Sequence, residues 1–254
     1  MHSKGIWDTP KSASLAFHFY HGVTVFKNKL FHPFNPREKD ALWAAAALIG
    51  ASAFANIQTT SIEESWPLTP RSAHDLDWLK LTSGKMAIYQ LSNPKRPTSV
   101  FKNTPTAVDL FVLPTQDIEQ YVANLPPKFV ELYGLDKSST IESNPYHAAA
   151  SILAQVLPLE TTPENIAKLV SFVGLPNPTY HRLLEDRDPR ALLLLAYWYA
   201  KTVECRQQWW LSRRACLQGP AICSFLETAF ARNPELIELL AAPKAAFATL
   251  TETR

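Results

Sequence analysis

Residue types able to do acid–base, metal or nucleophilic chemistry are few in this chain. His18 and His21 stand three apart, with Tyr20 between them, and helical spacing puts both imidazoles on one side. Two such rings could share a metal ion, but no third ligand is recognisable nearby, so ordinary polar or core histidines are the preferred reading. If the chain is an enzyme, His18, Tyr20 and His21 are its candidates for a catalytic group. Asp75 and Asp77 are two apart, so a helix turns them away from each other, and they suit the positive end of a helix dipole instead. Cys205, Cys216 and Cys223 are spaced by eleven and seven residues, which fits packing better than tetrahedral zinc. No Gly-rich phosphate loop, GxSxG elbow, HExxH or paired CxxC is present, and no metal or cofactor is expected.

Large aromatic side chains are the other candidates. Tyr197, Trp198, Trp209 and Trp210 could line a site for a planar apolar ligand, and the Trp209-Trp210 pair could anchor a dimer. The plainer expectation for the pair is one ring in the core and the other half-covering it. Arg206, Arg213 and Arg214 surround the pair and fit a solvated helix face as well as an anion or partner site.

The elements that must carry these residues are helical. Residues 191–200 are ten apolar residues in a row after Asp188-Pro189, and a helix apolar on every side must be buried on every side. That segment is expected to be the central rod. A second helical pattern follows it, with a break expected at Gly219-Pro220. Asn35-Pro36, Asn144-Pro145, Thr162-Pro163, Asn177-Pro178 and Asp188-Pro189 each set a capping side chain before a proline whose missing N–H costs nothing in a first turn. Glu38 completes a capping box with Asn35.

Residues 12–30 read as an amphipathic helix with Leu15, Phe19, Val23 and Phe26 on its packing side. The alanine-rich helix after Asn35 suits close helix packing. Another helix starts near Asp75, with Leu76, Leu79, Met86 and Ile88 toward the core and Gly84 as a weak point, and ends at Asn93-Pro94. VDLFVL reads as an apolar connecting turn, because a lone strand would lack a partner. Thr115 is expected to cap a short helix reaching Asn124. The expectation is an all-α, orthogonal or antiparallel bundle of roughly eight to eleven helices. It forms a single domain, 1–254, with the polar stretch 136–142 as the seam if it divides into subdomains 1–135 and 143–254.

The totals restrict function. With 25 basic and 23 acidic residues the net charge is +2, too weak a field for broad binding to nucleic acid or anionic membrane. An odd cysteine count within one helical region points away from a disulfide framework and toward a reducing intracellular compartment, nuclear or cytoplasmic. No secretory h-region or bilayer-length apolar run is evident.

DPRALLLLAYWYA, WWLSRRA and AICSFLE, preceded by DALWAAAALIGASAFANI, EESWPL, DLDWLKLTSGK and NPKRPTSVF, resemble the C-terminal region of fungal Zn2Cys6 (zinc binuclear cluster) transcription factors. The similarity covers most of residues 36–230 and rests on packing motifs. It implies an α-helical regulatory domain, in some members a dimer that binds a sterol or other apolar small molecule. The six-cysteine cluster itself cannot be built from three cysteines, so direct DNA contact is not expected. A ligand-sensing or partner-binding regulator, stand-alone rather than a fragment, is the expected function. The alternative is a natural-product enzyme catalysing a cofactor-free cyclisation or isomerisation in the same helical pocket.

Overall fold

A computed structural model describes residues 13–32, 35–104, 106–205 and 208–249. Among them every regular element is helical and no strand occurs, so the fold is an all-α bundle. The helices are α1 (Ala13–Leu30), α2 (Lys39–Ala55), α3 (Asp77–Ser92), the single turn α4 (Glu119–Val122), α5 (Pro127–Tyr133) and α6 (His147–Val156). They continue with α7 (Ile166–Gly174), α8 (Pro178–Glu185), α9 (Pro189–Thr202), α10 (Trp209–Ala229), α11 (Pro234–Leu239) and α12 (Ala241–Ala248).

Capping chemistry sets several of the starts. Asn35 accepts from the Arg37 N–H, and Glu38 reaches back to the Asn35 N–H, opening a short 3-10 turn that leads into α2. Asn177 accepts from Tyr180, and Asp188 accepts from both Arg190 and Ala191. Asn144 accepts from Tyr146 just ahead of α6, while its amide donates to the Tyr133 carbonyl at the end of α5. Pro163 opens a 3-10 turn before α7 without a side-chain cap from Thr162. Asn233-Pro234 is a sixth start of the same kind, with Asn233 accepting from Leu236.

All ten residues from 191 to 200 are buried, because neighbours surround α9. Trp198 donates its indole N–H to the Leu169 carbonyl and stacks on Phe172 of α7. Tyr197 donates to the Leu239 carbonyl and meets Phe129 of α5 edge-on. Tyr199 donates to Gln218 of α10, and Tyr180 of α8 donates to the Ala191 carbonyl. The rod thus buries apolar surface in every direction and leaves none of these hydroxyl or indole donors unsatisfied.

The helices α2 and α3 run antiparallel: Trp43 meets Tyr89, Gly50 lies against Leu81 and Thr82, and Phe54 meets Trp78. The small residues of α2 therefore do serve close packing. Helix α3 passes Gly84 without a break, and Gly84 is exposed there. Leu76 and Leu79 are buried as expected, Met86 and Ile88 are half-buried, and Trp78 is an additional core residue. VDLFVL makes a 3-10 turn, Ala107–Leu110, closed by a Thr106/Asp109 capping box, and is not a strand.

Two expectations need correction. Thr115 does not cap α4; its N–H donates to Ser151 and its hydroxyl to the Asp117 carbonyl. Helix α10 is not broken at Gly219-Pro220 and continues with Pro220 inside it. Buried residues on both sides of the proline, Arg214 and Ala215 before it and Ile222, Cys223 and Leu226 after it, hold the helix in place. That burial outweighs a local cost of about 3 kcal/mol for an interior proline. Gly219 has its own task, since a Cβ there would lie 2.3 Å from Cζ of Phe247, whose ring fills the notch and docks α12.

Candidate functional site

Tyr197 and Trp198 face other core side chains rather than a cavity, and both polar atoms already bond to main-chain carbonyls. Burial raises the Tyr197 phenol to about 12. Trp210 is half-buried, donates to Gln208 and meets Phe54 edge-on at 6.1 Å. The side chain of Trp209 and the whole of Arg206 lie outside the described residues.

Among the described residues, Phe54 is a meeting point of these aromatics. Its ring touches Trp78, Trp198 and Trp210, all near-perpendicular. Arg214 closes this group. The expectation of a solvated helix face does not hold for it: the side chain turns inward, and the residue keeps 4% exposure. Its Nε donates to the Phe54 carbonyl at 2.8 Å, and Nη2 donates to those of Ala53 and Asn56 at 3.1 Å each. The guanidinium lies 4.6 Å from the Trp78 ring centre and 5.4 Å from that of Phe54. These carbonyls are the C-terminal end of α2, where the helix dipole is negative and the last turn carries no basic residue of its own. Arg214 is therefore a cap supplied from α10. Burial lowers its pKa to about 10, so it stays charged at neutral pH. Beneath it, the Trp78 indole N–H is buried without an acceptor.

Outside this core, α1 rests on α2. Phe19, Val23 and Phe26 are half-buried on the packing side, as the spacing predicts. Leu15's side chain lies outside the described residues. The opposite side is also apolar. Phe17 (65% exposed), Tyr20 (70%) and, just past the helix, Phe31 (75%) share that outer face with Thr24, and Val25 (54%) flanks it. Phe17 stacks on His21 with ring centres 5.9 Å apart and meets His18 edge-on at 5.6 Å. His18 and His21 thus both lie against Phe17 on an exposed helix, whereas Tyr20 meets Phe19 edge-on and does not join them. Among the described residues no group of three or more His, Cys, Asp or Glu could hold a metal ion.

Other polar groups have structural partners. His147 is fully buried, with Nε2 3.0 Å from the Thr115 carbonyl and Nδ1 3.2 Å from the Ser139 hydroxyl. Asp136 accepts from the N–H groups of Ser138 and Ser139, and so orders the polar stretch 136–142 as a series of turns. Arg187 adopts φ 56° where α8 ends, donates to the Thr69 carbonyl and faces Asp75 at 3.6 Å. Asp77 lies in the first turn of α3, as expected of a helix-start carboxylate, and its Oδ2 is 2.7 Å from His74. Cys205 and Cys223 are buried thiols outside any disulfide. Burial pushes Cys205 up to about 11 and Cys223 up to about 12, which leaves both poorly nucleophilic. A depression of about 480 Å³ borders residues 228–233, a single run of chain that brings no reactive pair together.

No helix among the described residues is long and apolar enough to cross a membrane. No protein-family model, curated protein or solved structure matches the chain. Among the described residues, the exposed aromatic face of α1 is a surface whose chemistry the fold leaves unused. Sequence periodicity identified the packing side of α1, and the signal for the outer face was present too: Phe17, Tyr20, Thr24 and Phe31 also follow helical spacing.

Proposed function

We propose that the chain is a regulatory domain that does not itself contact DNA and that acts by protein contact, pairing with a second copy along α1. The observation that carries this reading is the outer face of Phe17, Tyr20, Val25 and Phe31. These four side chains offer roughly 500 Å² of largely apolar surface, a major part of the roughly 800 Å² that each partner buries in a standard interface. Monomeric proteins seldom leave such a patch uncovered. The face carries no carboxylate, since residues 13–32 contain none, so a symmetric pair would not set like acidic charges against each other.

The resemblance to zinc-binuclear-cluster regulatory regions, some of which are dimers, supports the same reading. So does the absence of the six cysteines that a DNA-reading half would need. A nuclear or cytoplasmic place goes with it, as does the odd cysteine count. The protein-contact part of the sequence expectation gains from the geometry more than the apolar-ligand part, because the described aromatic side chains proposed for a ligand are committed to core contacts.

Thr24 is exposed at the middle of the outer face, which gives a direct test. Oxidising a Thr24→Cys variant should produce a disulfide-linked dimer at low micromolar concentration. The same variant carrying Phe17→Ser, Tyr20→Ser and Phe31→Ser should not cross-link. Equal cross-linking in both backgrounds, or none in either, would refute pairing along α1.

A further inference from the structure

We propose that pairing of two copies along α1 is gated by protonation of His21, holding while that imidazole is neutral and weakening as it gains a proton. This inference rests on the pairing reading above and adds the condition under which pairing operates. His21 is exposed and lies within the outer face, four residues after Phe17, three before Thr24 and four before Val25, so helical spacing makes all three its neighbours. Its ring stacks on that of Phe17 at an interplanar angle of 2°. Phe17 and Val25 are 65% and 54% exposed, and a second copy that covers both also covers the imidazole between them.

The charges around His21 leave a proton there without compensation. Among the described residues of α1 the other titratable groups are His18, Tyr20, Lys27 and Lys29, and His32 follows the helix; none of them is a carboxylate. Lys29 is already paired with Glu38 on the turn before α2. Helix α2, on which α1 rests, packs against the opposite side, and its only charged residues, Lys39 and Asp40, stand in its first turn. Asp40 is itself engaged, accepting from the Ser99 hydroxyl and the Val100 N–H and pairing with Arg96. A symmetric partner brings only the same set along its own α1. An imidazolium at position 21 therefore meets no carboxylate from either copy of that helix.

Histidine is the side chain whose charge changes between about pH 5 and 8. In the separated chain an imidazolium keeps its water and gains from the Phe17 ring face. Pairing strips that water and returns no counter-charge, which is costly, whereas a neutral ring adds aromatic area to the contact. The proton thus binds the separated chain better than the pair, and by linkage it drives the pair apart. Lys27, at the edge of the face, stays charged throughout this range and contributes nothing to the response.

Sedimentation equilibrium of the full chain at about pH 8 and about pH 5.5, at one ionic strength, brackets the histidine titration. With one His21 from each copy, the dissociation constant should be at least about tenfold higher at the acid pH. His21→Gln should pair about equally at both pH values, and His18→Gln should keep most of the parent's response. His21→Lys fixes a charge in the face and should pair as weakly at about pH 8 as the parent does at about pH 5.5; this arm is independent of any acid unfolding. A parent that pairs equally at both pH values, a His21→Gln variant that keeps the pH response, or a His21→Lys variant that pairs fully would overturn the gate and leave pairing itself standing. A parent that is monomeric even at about pH 8 would overturn the pairing reading and the gate with it.

Discussion

Arg214→Met keeps the aliphatic stem of the side chain and removes only its guanidinium, so it isolates the cap on α2. The carbonyls of Ala53, Phe54 and Asn56 then lose the Arg214 donor, the first two at buried bonds and the third at a part-buried one. An unsatisfied buried acceptor costs about 1–3 kcal/mol, and the loss of a cation at a helix C-terminus and over two aromatic faces adds to that. Relief of the guanidinium's own desolvation offsets part of the total. A net loss of about 4 kcal/mol is expected, a large fraction of the roughly 5–15 kcal/mol that holds a domain folded. Arg214→Lys retains a charge but cannot span three acceptors from one planar fork, and should lose about 2–3 kcal/mol. Urea denaturation followed by tryptophan fluorescence reads both directly. The Arg214→Met signal should also report Phe54, Trp78 and Trp210 loosening in the native baseline. If Arg214→Met stays within about 1 kcal/mol of the parent, Arg214 is not the tie between α10 and α2.

Leu194→Asp puts a carboxylate into the fully buried face of α9. It should cost at least about 4 kcal/mol and yield insoluble or non-cooperative protein, so a sharp urea transition from that variant would show that α9 is not central. Gly219→Ala should destabilise by about 1–2 kcal/mol despite the better helix propensity of alanine, because Phe247 must leave its notch. That cost should vanish in a Phe247→Ala background, whereas simple additivity would contradict the contact. At Asp109, partial burial acts to raise the pKa, but the hydrogen bonds from Lys95, Tyr89 and Thr106 outweigh it and hold the group at about 2. A carboxylate depressed in the folded state stabilises above its unfolded pKa and loses that contribution as pH falls. The stability gap between the parent and Asp109→Asn should therefore be about 2 kcal/mol above pH 4 and should close toward pH 2. A gap that widens on acidification would reverse the sign of the argument.

Helix starts were readable because a capping oxygen followed by proline is a local device; Asn233-Pro234 obeys it as Asn35, Asn177 and Asp188 do, while Thr162-Pro163 opens its turn without a side-chain cap. The buried rod was readable because ten consecutive apolar residues leave no solvent face. Pro220 misled for a physical reason: local cost predicts a break, and only the burial on both sides of it, a tertiary fact, shows that the helix holds. Arg214 was hidden because its acceptors lie some 160 residues away in sequence, at an α2 end that carries neither a basic residue nor a glycine cap of its own. On α1, one apolar stripe was recognised and its opposite was not, because an amphipathic expectation assigns the second side to water.

Sedimentation equilibrium across about 1–100 µM protein tests the central claim, that the outer face of α1 pairs two copies of this chain. The parent should move from 28.5 kDa toward twice that mass within this range, and the Phe17→Ser, Tyr20→Ser, Phe31→Ser variant should stay at the monomer mass. A parent that remains monomeric throughout, or a variant that associates equally well, would contradict it.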